Sequence, residues 1–190
     1  MAEKTIVLAG GCFWGMEALY RSLPGVIDAV PGYANGKDAK YAEYQMVCTG
    51  LTEFREAIRV TYDPEQISLK KLLFCLFCVI DPTMYHRQGM DIGSQYQSGI
   101  YWIDPEDEET VRAVAKLEAE GRRGFCTELE PLKLFCPAEE YHQRYLDKNP
   151  GGYCHISPMK RAALLKYPYS DETYTCHAED LLDAFRASEG

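Results

Sequence analysis

The chemistry of this chain concentrates in "AGGCFWGMEALY", Ala9–Tyr20, where a cysteine stands between a glycine pair and two aromatic residues. Behind it Met16, Leu19, Tyr20 and Leu23 recur at i, i+3, i+4 and i+7, the apolar stripe of an amphipathic helix. Cys12 therefore stands where that helix begins, among unpaired backbone N–H groups and the positive end of the helix dipole, and a thiolate is favoured there. The glycines let another molecule approach the backbone closely. Phe13 and Trp14 come too early to serve the stripe and are placed to wall a small apolar pocket beside the sulfur. Two other readings compete. A nucleotide loop would need the Lys and Ser/Thr of a P-loop or G-x-G-x-x-G spacing, which the segment lacks. A buried packing cysteine is the plainer one.

Glu56 is the second residue out of place. In "EAIRVTY" it shares the alternation of Ile58, Val60 and Tyr62, so a strand there points its carboxyl toward the core. A carboxyl in apolar surroundings has a raised pKa and holds its proton near neutral pH, which makes a general acid. The alternative places Glu56 at a frayed strand start, in solvent or paired with Arg55 or Arg59. Tyr33 in "PGYANG" is a turn tyrosine, or a hydroxyl donor if it faces Cys12. Asp91, Gln95 and Tyr96 lie in "RQGMDIGSQYQSGIYW", a polar, glycine-rich loop that either lines a site or is merely solvated.

The elements that must position these residues alternate along the chain. Strands are expected at Thr5–Ala9, at Val26–Val30 (ended or bulged by Pro31–Gly32), and at Glu56–Tyr62, Gly99–Ile103 and Leu129–Phe135. Helices are expected after Cys12, closed by Pro24–Gly25, and from Leu69 to Ile80 behind an N-cap at Ser68. Two more follow, in "DPEDEETVRAVAKLEAE" and in "CPAEEYHQRYL", the latter with Pro137 at its first position. Tyr153–Gly190 reads as a mostly irregular tail with a short helix at Ala178–Ala187. The fold class is α/β (α+β), a two-layer sandwich of helices on a mixed sheet. Residues 1–150 are expected to form the catalytic domain and 151–190 a flexible C-terminal tail.

Length and composition set the bounds. The 190 residues are 46% hydrophobic and 26% charged, a globular composition. Lys plus Arg total 20 against 29 Asp plus Glu, a net charge of −9, which argues against nucleic acid as a partner. No apolar run is long enough to span a membrane, and "MAEKTIVLAGG" does not read as a signal peptide. The expected compartment is the cytoplasm, where the eight irregularly spaced cysteines are thiols rather than a disulfide framework.

"GCFWGMEALYRSLPGV", "GYANG", "EAIRVTYDP", "DPTMYHRQGMDIGSQYQSGIYW" and "PAEEYHQRYLDKNPGGYC", in that order, resemble the type A peptide methionine sulfoxide reductases from Thr5 to about Cys154. The resemblance implies a two-layer fold with a ferredoxin-like core. It implies Cys12 as the nucleophile that attacks the sulfoxide sulfur, with Phe13 and Trp14 forming the pocket for the substrate's S-methyl group. It further implies Glu56 as the acid that protonates the sulfoxide oxygen, Tyr33 and Tyr96 as hydrogen-bonding hydroxyls, and Asp91 as the aspartate supporting the site. Cys154 matches the resolving thiol, thioredoxin the reductant, and methionine S-sulfoxide, free or in proteins, the substrate. No metal or organic cofactor is implied. Independently of resemblance, a sulfoxide is a poor electrophile until its oxygen is protonated, so thiolate, neutral acid and apolar slot must lie together.

The chain departs from the family where Glu53, Phe54 and Arg55 replace the usual Gly-His-Ala before Glu56. Cys136, placed at a helix start by the expected helix at Pro137, is a second candidate resolving thiol. Cys176 either forms a second disulfide with Cys154 or takes no part. Cys75 and Cys78 fall mid-helix, unlike a redox C-x-x-C, and read as packing residues. The competing functions are a thiol peroxidase or disulfide oxidoreductase using Cys12 and Cys154, and a zinc-stabilised domain using Cys154–His155 and Cys176–His177.

Overall fold

The computed structural model describes residues 2–190. Its strands are β1 (Lys4–Ala9), β2 (Val26–Ala34), β3 (Arg55–Tyr62), β4 (Arg87–Gln88), β5 (Asp91–Ile92), β6 (Gly99–Trp102), β7 (Glu128–Pro131) and β8 (Phe135–Pro137). Its helices are α1 (Phe13–Ser22), α2 (Tyr44–Val47), α3 (Leu69–Val79), α4 (Asp107–Ala119), α5 (Tyr145–Lys148), α6 (Pro158–Lys166) and α7 (Ala178–Glu189).

Six strands form one mixed sheet in the order β7-β6-β1-β3-β2-β8, while β4 and β5 pair as a separate hairpin. Because β3 runs antiparallel to both β1 and β2, the β1-α1-β2 unit is split by β3. Likewise β6 runs antiparallel to β1, so β1 splits the unit β3-α3-β6. Two interlocked split units are the ferredoxin-like core. The unit β6-α4-β7 then adds a parallel edge strand.

The expected strand at Leu129–Phe135 is in fact two strands, β7 and β8, at opposite edges of this sheet. A flat six-stranded sheet would be about 24 Å across. The chain from Pro131 to Phe135 reaches about 15 Å at most. The sheet must therefore curl until its edges approach. Asn35 ties the junction: its side-chain carbonyl accepts Lys133 N–H at 2.7 Å and its backbone N–H donates to the Leu134 carbonyl at 2.8 Å. Inside the curl Leu132 and Phe135 pack on Val7, Ala9, Ala34, Ala57 and Tyr101. The opposite face carries the main core, where Ile6, Leu8, Ile58 and Val60 meet Met16 and Leu19 of α1 and Leu72, Leu73 and Leu76 of α3.

Three further expectations change. β2 runs through Pro31–Gly32 to Ala34, with its register shift earlier, between Val26 and Asp28. No helix starts at Pro137. Cys136 pairs with Tyr33 in the ladder instead, followed by a 3-10 turn at Glu140–His142 and the short α5. The segment expected to be mostly irregular carries α6 as well as α7. Leu164, Tyr174, Ala178 and Leu182 are buried in the main core. The buried Glu118 of α4 holds them there, accepting Tyr174 Oη at 2.6 Å and Ala178 N–H at 2.7 Å. This cover explains why Cys75 and Cys78, off the apolar stripe of α3, are buried packing residues.

Because α7 completes the core, Leu182→Ala should cost about 2–4 kcal/mol, as for any fully buried leucine. Urea unfolding checks it; an unchanged midpoint would mean that the segment is a loose appendage.

Candidate active site

β3 delivers its first inward side chain to the start of α1. Glu56 Oε2 accepts the Phe13 backbone N–H at 3.2 Å, a donor that a helix start leaves unpaired. Glu56 is 2% exposed, so it is not at a frayed strand start. Neither arginine pairs with it: Arg55 Nε donates to Glu128 at 2.6 Å, and the Arg59 guanidinium lies 5.1 Å from the centre of the Phe135 ring. Burial pushes the Glu56 carboxyl up to about 8, the Phe13 N–H opposes the shift, and the Asp91 charge adds to it. Desolvation outweighs the helix-start donor, and the acid keeps its proton at neutral pH.

Cys12 caps α1 and is 7% exposed. The thiolate expected from its position is not its resting form. Burial pushes the thiol up and the Glu56 charge adds, and together they outweigh the pull of the Trp14 backbone N–H toward the thiolate. The resting pair is thus a neutral thiol beside a neutral acid.

Tyr33 lies directly opposite Glu56 in the β2–β3 ladder, buried rather than in a turn. Opposite residues on one face stand about 5 Å apart at Cβ. Its hydroxyl donates to Glu139 Oε1 at 2.9 Å, and Glu139 also accepts Tyr141 Oη at 2.8 Å and the Tyr44 backbone N–H at 3.3 Å. Phe13 packs 5.8 Å from Tyr33 and 5.0 Å from His142, centroid to centroid. Trp14 is fixed twice: its indole N–H donates to His142 Nδ1 at 3.1 Å, and its ring stacks on Tyr145 at 3.7 Å. That bond puts the His142 proton on Nε2, a buried atom with no hydrogen-bond partner.

The polar loop proves ordered and contributes to the site. Gln88 clamps Asp81 with two bonds, 3.0 Å from its N–H and 2.8 Å to its carbonyl, and Gln97 accepts the His86 N–H at 2.8 Å. Asp91 accepts Tyr153 Oη at 3.0 Å. Burial raises the Tyr96 hydroxyl, and the charges of Glu56, Cys12 and Asp91 raise it further, so the structure gathers Tyr96 with all three. Gln95 turns inward, 5% exposed, with its side-chain carbonyl unpaired. Gly11 has φ +82°, and a Cβ there would lie 2.8 Å from Gln88 Cβ, so only glycine lets the loop close on the strand–helix junction.

Cys154 is half-buried over α1. A Cβ on Gly15 would lie 3.0 Å from its sulfur, so the missing side chain makes its seat. Cys154 Sγ donates to the Ile156 carbonyl at 3.0 Å, and all eight cysteines are free thiols. Cys136 lies on the edge strand rather than at a helix start, and burial raises its thiol. Cys176 lies beyond α6, next to His177, which contacts the Glu120 carbonyl at 2.8 Å and Arg122 Nε at 3.3 Å. His155 instead contacts the Gly10 carbonyl at 2.9 Å, so the two Cys–His pairs of the zinc reading are engaged at separate places.

The sequence reading missed Tyr44, Cys48, Glu139, His142, Tyr145 and Tyr153. Burial raises the Tyr44 hydroxyl, and the charges of Cys48, Glu56 and Cys12 add to it, placing it in the site. The signal available for Glu139, His142 and Tyr145 was the aromatic density of "EEYHQRY", which helical periodicity absorbed.

A family model for peptide methionine sulfoxide reductase matches residues 4–173. The chain belongs to the peptide methionine sulfoxide reductase family. It is a thiol-dependent reductase of that class. The chain is 47% identical over 154 residues to peptide methionine sulfoxide reductase MsrA of Clostridium perfringens, covering 80% of this chain and 98% of that protein. The crystal structure of Mxr1 from Saccharomyces cerevisiae in reduced form is similar with a TM-score of 0.75 and 39% identity, over 80% of this chain and 88% of that one. Mxr1 in complex with Trx2 matches with a TM-score of 0.53 and 28% identity, over 75% and 84% of the two chains. The reductase family model ends before Cys176 and α7.

The raised Glu56 carboxyl makes a stability prediction. Between an unfolded value of 4.5 and a folded value of about 8, only the native state holds this proton. Stability must therefore fall as pH rises through that window, by up to about 1.4 kcal/mol per unit from this group. In Glu56→Gln the fall in urea midpoint between about pH 5.5 and 7.5 should be smaller than in wild type; equal falls would place the titration elsewhere.

Proposed function

We propose that Cys12 reduces methionine sulfoxide, with Glu56 as proton carrier and Cys154 as resolving thiol. The observation that carries this is the buried, protonated carboxyl bonded to the residue after the cysteine, with Tyr33 opposite and Tyr96 and Asp91 beside it. Glu56 gives its proton to the sulfoxide oxygen as the Cys12 sulfur attacks the sulfoxide sulfur, and the thiol proton passes to the Glu56 carboxylate. The oxygen leaves with the cysteine, as methionine and a Cys12 sulfenic acid. Tyr96 hydrogen-bonds the oxygen as charge builds on it, while Tyr33, whose one hydroxyl proton is given to Glu139, serves as part of the buried wall rather than as the expected donor. Phe13 and Trp14, pinned by His142 and Tyr145, receive the S-methyl group. Cys154 then condenses with the sulfenic acid, releasing water and forming a disulfide. The S epimer, free or in proteins, is the proposed substrate, and a thioredoxin-type dithiol the proposed reductant, supported by the likeness to Mxr1, which forms a complex with Trx2. The cytoplasm is the proposed compartment, supported by eight free thiols.

Pre-reduced protein given a small excess of a racemic methyl sulfoxide, without reductant, should release about one product and lose about two thiols per chain. Cys12→Ser should release none. Cys154→Ser should still release about one and stop at a sulfenic acid that a dimedone-type reagent traps. Product from Cys12→Ser, or an unchanged second thiol loss in Cys154→Ser, would overturn the assignments.

Glu56→Gln should slow methionine release about 10²–10⁴-fold, the range of a lost general acid. In the wild type the rate should hold up to about pH 8 and fall above it as Glu56 loses its proton. A peroxidase using Cys12 and Cys154 would show neither effect and would consume peroxide instead.

A further inference from the structure

A groove of about 750 Å³ runs between α1, α5 and α6. Its lining includes Cys154, Trp14, Arg21, Arg144 and Arg161, but neither Cys12 nor Glu56. In a chain of net charge −9, three arginines lining one groove are out of proportion. Arg21 lies 3.4 Å from Asp28, while Arg144 and Arg161 form no ion pair among the described residues. Glu17 and Asp147 also line the groove. The Glu17 carboxylate, however, is buried and already engaged, accepting the Arg144 backbone N–H on both oxygens at 2.9 and 3.0 Å. Arg144 itself sits at φ +53°, a left-handed conformation that strains a non-glycine residue. A buried carboxylate thus spends its hydrogen bonds holding a strained arginine whose charge is left for something else.

We propose that this groove binds a small thiol carrying two carboxylates and presents it to Cys154 as a reductant. The inference rests on the Cys12–Cys154 disulfide of the preceding section. The volume is within the range of small-molecule sites, and planar guanidinium groups suit carboxylates. Of the two sulfurs, Cys154 is the one in the groove wall. The thiolate attacks Cys154 Sγ, forming a mixed disulfide as the S–S bond to Cys12 breaks and Cys12 leaves as thiolate, then takes a proton. A second thiol reduces the mixed disulfide, so two thiols end as one small disulfide and both protein cysteines return to thiols.

The test starts from enzyme oxidised by one equivalent of methyl sulfoxide, with disulfide formation verified by thiol count. Failure there overturns the catalytic reading, not the groove. Reduction of that disulfide is then followed with glutathione, with its diethyl ester, and with a thioredoxin. Glutathione should saturate and react roughly tenfold faster than the ester at equal thiolate, a preference abolished in Arg144→Ala/Arg161→Ala and at high salt. Peptide mapping of the quenched reaction should find the mixed disulfide on Cys154. A rate linear in glutathione and equal to the ester's would overturn the proposal, as would a glutathione-to-ester ratio unchanged in the double variant, or rapid reduction by thioredoxin alone.

Discussion

The contact on which the site depends is the bond from the Phe13 backbone N–H to the Glu56 carboxyl. It joins the two elements that carry the reacting groups, the first strand-to-helix junction and the third strand, at the one place where a helix has a donor to spare. The same contact sets the chemistry. A carboxyl at a helix start is ordinarily held ionised by the dipole and the N–H groups, but here it has lost its water, and desolvation wins. The acid must be buried to stay protonated and must be bonded to be positioned, and one N–H meets the second need without undoing the first.

Around that contact the structure uses aromatic rings as rigid packing and polar atoms as pins. Glu139 collects Tyr33, Tyr141 and the Tyr44 backbone, and although burial raises it, those hydrogen bonds outweigh burial and keep it ionised. His142 stays neutral because burial lowers its pKa, so it can accept the Trp14 indole N–H. Two carboxylates within one cluster are thus driven to opposite protonation states: Glu56 is buried with a single N–H donor, while the partly exposed Glu139 has three.

Much of this was legible in the residues. The apolar alternation of β3 pointed Glu56 inward against a solvent-exposed alternative, the glycine pair and the i, i+3, i+4 stripe placed Cys12 at a helix start, and the strand–helix alternation pointed to a two-layer sandwich, whose ferredoxin-like core was implied only by the family resemblance. What was not legible depended on distant partners. The Cys12 charge state could not be read from its local helix position, because the desolvating core and Glu56 come from elsewhere in the chain. The edge strand at Phe135–Pro137 was hidden by a proline that also suits a helix start, and only its pairing with β2 decides between the two. Residues 153–190 lack strong periodicity in α6, yet the buried Glu118 and the apolar back of α3 give them a seat that their own sequence does not reveal.

The short tie between β7 and β8 has a consequence beyond curvature. Among the described residues these two strands are the sheet's two edges, and both are brief, each closing on a proline, Pro131 and Pro137, that has no N–H to offer. Glu128 and Glu130 add charge to the first. An open strand edge invites any extended chain to add itself to the ladder and seeds aggregation. Short and closed by proline, and one of them charged, the two edges of this sheet give such a chain almost nothing to template on.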